Sequence, residues 1–182
     1  ARLTFWRALL ADFYDVPAYR DQLDHIEQVE IDYVVPEFGA ERTAPQAVLI
    51  AGWLGSRLGW KLAADNAINR EAASMTCNFD CTTGNSRRVL VRLNRVDTGE
   101  HKPGRLVRVE LRTRDAASFR VTRSDNNTHL IAEANLGEHT QRGRVLPVRN
   151  RSTAQLLSRE MEILCNDQIY QEALAVAAKL IA

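Results

Sequence analysis

In the opening stretch Leu3 to Asp15, Trp6, Leu9, Leu10 and Phe13 recur at i, i+3, i+4 and i+7. That spacing predicts a helix with one apolar stripe, and Thr4 is placed to cap it. Pro17 opens a second helix on which Tyr19, Leu23 and Ile26 share a face, ending near Glu27. Val29, Ile31, Tyr33 and Val35 then alternate with Glu30, Asp32 and Val34, the period-two pattern of a half-buried strand that Pro36 stops. Thr43 and Gln46 form a capping box with Pro45 in the first turn, which predicts a helix over about 44–62. Its small residues Gly52, Ser56 and Gly59 recur at i, i+4 and i+7, leaving room for a close neighbour. Tight packing there has to offset roughly 1 kcal/mol for each interior glycine.

The segment 63–86 is the least regular part of the chain, mixing Asn, Thr and Ser with the two cysteines of CNFDC, and reads as a long loop. From Arg88 the alternation returns: Val89, Val91 and Leu93, then Val107, Val109 and Leu111, then Phe119 and Val121, each flanked by polar positions. A fourth strand follows over about 128–136. Short connections between them predict an antiparallel meander with Arg92, Arg108, Glu110, Arg112 and Arg120 on its outer face. Residues 137–151 read as a loop or irregular strand. Ser152 with Gln155 forms a second capping box before the stripe Leu156, Leu157, Met161 and Leu164. Asn166 and Asp167 interrupt the pattern, and Tyr170, Leu174, Ala177 and Ile181 begin a last stripe. The expected architecture is α+β: a single domain over 1–182, a mostly antiparallel sheet of about five strands, and N- and C-terminal helices packed on one face.

At 182 residues and 45% hydrophobic, the chain can bury one core of ordinary size. Apolar runs fall short of the ~20 residues that span a bilayer, and Arg57 interrupts the longest; no signal peptide is visible, so the expected location is the cytoplasm without membrane attachment. The chain begins at Ala1, which reads as a piece of a longer protein. The net charge of +1 conceals a division along the chain: 7 basic residues against 12 acidic over 1–86, but 15 against 7 over 87–151. Of the 24 basic residues 21 are arginine, whose planar fork suits carboxylate and phosphate recognition, although a GC-rich genome produces the same bias.

Three blocks, TFWRALLADFYD (Thr4 to Asp15), IEQVEIDYVVP (Ile26 to Pro36) and PQAVLIAGWLGSRLGW (Pro45 to Trp60), resemble the glucose-6-phosphate dehydrogenase assembly protein OpcA family in sequence, order and spacing. That family's later half carries a similar tryptophan-containing WR helix and a GWL.SRLGW helix. The resemblance implies the C-terminal domain of a longer, non-enzymatic protein that binds the dehydrogenase and raises its activity, promoting the oxidative pentose phosphate route. In cyanobacteria it further implies redox control, with thioredoxin as a second partner.

The residues themselves offer three candidate constellations. The outer-face arginines Arg92, Arg108, Arg112 and Arg120 suit an acidic protein surface, since charge complementarity speeds association; a solvated face with cross-strand pairing to Glu110 accounts for them equally. Trp53, Arg57 and Trp60 form a second candidate partner surface, with Arg57 one turn from each indole and able to lie over it, or simply a core helix with one snorkelling arginine. Cys77 and Cys81 are candidates for a redox couple if an irregular loop brings their sulfurs together, and otherwise two inert thiols. The alternative function is an enzyme or binding domain for a phosphorylated metabolite that uses the same arginines. No glycine-rich phosphate loop, nucleophile–base pair or set of four metal ligands is apparent, so no catalytic residue, cofactor or metal is expected. Nucleic acid is not an expected partner, because the outer positions lack the aromatic residues that stack bases.

Overall fold

The stripe of Trp6, Leu9 and Leu10 winds into α1 (Thr4–Asp12), and Phe13 follows in one 3-10 turn; all four side chains are buried. Leu3, not Thr4, occupies the N-cap position, and no side chain caps it. The computed structural model describes residues 3–35, 44–64, 68–71, 73–81, 87–97, 101–137, 139–147 and 167–181. The second predicted helix is short: α2 (Pro17–Arg20) passes into a 3-10 turn and delivers Ile26 to β1 (Ile26–Val34).

Pro45 starts α3 (Pro45–Arg57) with Ala44 at the N-cap and no side-chain cap; Thr43, the predicted cap, lies outside the described residues. The helix stops well before Leu62. Gly59 takes a left-handed φ of 65°, which turns the chain out of the helix, and Trp60 begins the strand β2 (Trp60–Leu62).

Over its described residues, the expected loop at 63–86 is largely sheet. It contains β3 (Asn69–Arg70) and β4 (Ser74–Cys81), in which Met75, Cys77, Phe79 and Cys81 are buried in strict alternation. Asn78 and Asp80 disfavour a strand locally, but pairing of the whole segment with the next strand overrides propensity. The remaining strands are β5 (Arg87–Val96), β6 (Leu106–Thr113), β7 (Ala117–Arg123), β8 (His129–Leu136) and β9 (His139–Pro147), and α4 (Gln168–Ile181) follows. The segment 139–147, expected as a loop or irregular strand, is thus paired.

Among the described residues the sheet has nine strands, where about five were expected, in the order β2-β4-β5-β1-β6-β7-β8-β9, with β3 also paired to β4. The expected four-strand meander is broken, because β1 inserts between β5 and β6, parallel to the first and antiparallel to the second. The β5–β6 connection therefore steps over the end of β1. It is pinned there by Val34 N–H donating to the Arg105 carbonyl (2.9 Å) and Gly104 N–H donating to the Val34 carbonyl (3.0 Å). Only β6 to β9 form an uninterrupted meander.

All the described helices lie on one side of the sheet. α1 packs on β7 and β8, α3 on β1 and β5, and α4 on α3. Phe119 of β7 gathers Phe13, Tyr14 and Tyr19 at ring-centre distances of 5.3–5.5 Å. At Gly52 the two helices meet backbone to backbone: a β-carbon there would overlap the Ala173 carbonyl oxygen and stand 3.0 Å from the Ala177 nitrogen. That approach chooses the face α4 buries. Ala173, Ala177 and Leu180 point inward, whereas Tyr170, Leu174 and Ile181 of the predicted stripe are about half exposed. The predicted helix with Leu156, Leu157, Met161 and Leu164, and Cys165 after it, lie outside the described residues. No described helix is long and apolar enough to cross a membrane.

Candidate functional site

Period-two geometry sends Val29, Ile31 and Tyr33 of β1 into the core and turns Glu30 and Asp32 to the opposite, open face. On β6 the same alternation turns out Arg108, Glu110 and Arg112, and on β7 Ser118, Arg120 and Thr122. Because β1 lies beside β6, two acidic side chains fall among three arginines. Arg108 donates through Nε to Asp32 (2.7 Å), through Nη1 to Glu110 (3.1 Å) and through Nη2 to Glu30 (3.1 Å). Arg112 donates to Glu30 (3.3 Å) and Glu110 (3.0 Å), and Arg120 to Glu110 (2.8 Å). Gln28 and Asn94 complete the set by donating to Glu30 (2.8 Å) and Asp32 (2.9 Å).

Glu110 is 1% exposed and Glu30 and Asp32 are each 8% exposed, although this face carries no described helix. The guanidinium groups themselves roof the carboxylates. Burial alone would raise the pKa of Glu110; the hydrogen bonds and charges of Arg120 and Arg112 outweigh it and hold the carboxyl below its ordinary range. Arg108 shows the mirror case: desolvation would lower its pKa, but the bond to Asp32 and the charges of Asp32, Glu110 and Glu30 raise it.

This arrangement corrects the expectation of a basic docking face. Lys61, Arg88, Arg92, Arg108, Arg112 and Arg120 point outward, against Glu30, Asp32, Asp80, Glu110 and Glu133, so the described face is close to neutral. Three of the four predicted arginines converge; Arg92 lies beside them, opposite Glu30 in the β1–β5 pair, outside the hydrogen-bonded set. Arg108, Arg112 and Arg120 already hold carboxylates, so each guanidinium is partly engaged within the face.

The group Trp53, Arg57 and Trp60 is dispersed. Trp60 is buried on β2 against Phe79, with ring centres 6.2 Å apart. Trp53 packs partly buried against the core, and Arg57 pairs with Glu172 of α4 instead of covering an indole. The early end of α3 at Gly59 is the cause. The arginine that does cover an indole is Arg123, whose guanidinium carbon lies 5.6 Å from the Trp6 ring centre while Nε donates to the Leu106 carbonyl at 2.8 Å. Burial and the nearby Arg105 push its pKa down to about 10. Arg123 has the same strand parity as Phe119 and Val121, so alternation alone could have placed it inside.

Cys77 and Cys81 are free, buried thiols on one face of β4. Four residues along a strand span about 13 Å, well beyond the reach of a disulfide, so the predicted redox couple does not form in this fold. Burial pushes the Cys77 thiol up to about 12, against reactivity. We expect iodoacetamide at pH 8 to leave Cys77 unlabelled in the folded protein and to label it fully in denaturant; labelling at equal rates in both would show that β4 opens readily. His101 is buried with Nδ1 3.0 Å from the Asn127 side-chain oxygen. Among the described residues no cluster of three or more potential ligands occurs.

Comparison with known proteins places this geometry in a family. Residues 1–174 match the model described as the C-terminal domain of a glucose-6-phosphate dehydrogenase subunit. The chain is 30% identical, over 97% of its length, to a Synechococcus elongatus protein described as an OxPP cycle protein OpcA, of which it covers 39%. It is 25% identical over its full length to a Synechocystis protein of the same description, of which it covers 38%. The chain thus spans about two-fifths of these relatives. Among solved structures, an oxidoreductase structure from Thermotoga maritima superposes with a TM-score of 0.51 over 94% of this chain and 55% of that one, at 8% identity, a likeness of fold alone. From its match over nearly the whole length, the chain belongs to the family of C-terminal domains of the glucose-6-phosphate dehydrogenase subunit.

Proposed function

We propose that this chain does no chemistry of its own and acts in the cytoplasm as a partner of glucose-6-phosphate dehydrogenase, binding the enzyme and favouring its more active conformation. The observation that carries this reading is the family match over residues 1–174, to a domain described as part of a subunit of that dehydrogenase. The open sheet face supports it: its central carboxylates are satisfied within the face by Arg108, Arg112 and Arg120, as suits a broad contact surface better than a reaction centre. A partner shifts a conformational equilibrium only by binding one state more tightly than the other. Activation therefore requires a tighter complex with the more active form of the enzyme.

A titration of this chain against purified dehydrogenase from the same organism, with activity read in the same samples, tests the proposal. Saturable binding that raises the rate is the expected result. Binding with no change in rate would remove activation and leave docking; absence of binding would overturn the partnership.

A further inference from the structure

We propose that the dehydrogenase docks on the open sheet face, over the guanidinium layer of Arg108, Arg112 and Arg120, through short-range hydrogen bonds and not by attraction of an acidic patch. This rests on the partnership proposed above. The arginine side chains are 27%, 44% and 41% exposed, whereas the side chains of Glu30, Asp32 and Glu110 beneath them are 10%, 12% and 2% exposed. The outermost polar atoms are thus N–H donors, while the neutralising charge lies below. Three guanidinium groups over three carboxylates carry no net charge, so the set steers a partner only weakly beyond a Debye length.

Its value to a complex is preorganisation. A free arginine loses rotamer freedom when ordered at an interface; here folding onto the carboxylates has already ordered all three. The exposed part of each guanidinium retains N–H donors beyond those used on the carboxylates, suited to backbone carbonyls and side-chain amides of a partner. The cross-strand neighbours of Arg112 and Arg108 on β7 are the small Ser118 and Thr122. They leave the guanidinium layer accessible to a flat surface.

Thr122→Trp and Ser118→Trp each raise a bulky side chain beside this layer without removing any member of its ion pairs, and tryptophan is well tolerated in strands. Leu174→Asp on the exposed side of α4 is the control for the other large surface. The measurement is the affinity of each purified variant for the dehydrogenase, with circular dichroism confirming the fold and light scattering the mass. Expected are a loss of more than about tenfold for both tryptophan variants, a change within about twofold for Leu174→Asp, and a wild-type affinity that falls less than about threefold from low salt to about 0.3 M. Unaltered binding by both tryptophan variants, or loss of binding in Leu174→Asp alone, would place the contact elsewhere. A tenfold fall with salt would restore the acidic-patch mode. A wild-type dimer broken by Thr122→Trp would assign the face to a second copy of the chain. Absence of binding by wild type itself would overturn the partnership, and this docking face with it.

Discussion

Gly52→Ala is expected to lower the free energy of unfolding by about 2 kcal/mol, although alanine is the better helix former by about 1 kcal/mol. The added carbon would overlap the Ala173 carbonyl oxygen and crowd the Ala177 nitrogen, and both are backbone atoms that cannot rotate away. α4 would have to retreat from α3, weakening the Arg57–Glu172 pair and the bond from Arg70 to the Leu180 carbonyl (3.2 Å). Gly55→Ala on the same helix is the internal comparison. There the nearest atoms are Val176 Cγ1 at 3.3 Å and a Phe79 ring carbon at 3.4 Å, side-chain atoms able to shift slightly. Its propensity gain should leave stability within about 0.5 kcal/mol of wild type. Urea unfolding followed by circular dichroism measures both, and a Gly52→Ala protein as stable as wild type would refute the backbone contact.

Glu110→Gln should cost about 3 kcal/mol near neutral pH, the low end for breaking a buried ion pair, because the three arginines around it are partly exposed and water relieves some of their repulsion. The pH dependence carries the diagnostic sign. The carboxyl is held below its ordinary range in the folded state, so its contribution is fully present above the unfolded value of about 4.3 and is lost as pH falls through the lower, folded value. Wild type and Glu110→Gln should therefore differ most at pH 6 to 7 and converge in acid. A double-mutant cycle with Arg120→Gln should give a coupling above about 1 kcal/mol. Equal stability of the two proteins at neutral pH would mean that Glu110 contributes nothing net to the folded state.

These effects concern features of different visibility in the sequence. The helix stripe Trp6, Leu9, Leu10, Phe13 and the alternations of β5 and β7 were legible, because period 3.6 and period 2 survive in one dimension; in β6 a register shift beside Tyr33 buries Leu106 in place of the predicted Val107. Glycine at position 52 also signalled a close approach. β4 was not legible: Thr76, Asn78 and Asp80 read as loop residues, and only the ladder with β5 makes them a strand. The length of α3 was misjudged because a glycine inside an apolar run looks the same whether it continues the helix or, at φ 65°, ends it.

The candidate face shows the same division. The sequence already contained Arg108, Glu110, Arg112 and Arg120 at outward positions, and Glu30 and Asp32 at outward positions of an earlier strand. Joining them required the strand order. Residues some 80 positions apart in the chain meet only because β1 is threaded between β5 and β6, and that insertion turns a basic segment into a nearly neutral, self-satisfied face. Local periodicity sufficed for the fold class and for the inward side chains of α1, β5 and β7, and three short sequence blocks for the kinship of the chain. Strand pairing and backbone contact settled which charges neutralise which, which side of α4 is left exposed, and that Cys77 and Cys81 stay apart, because each depends on non-local neighbours that no local pattern encodes.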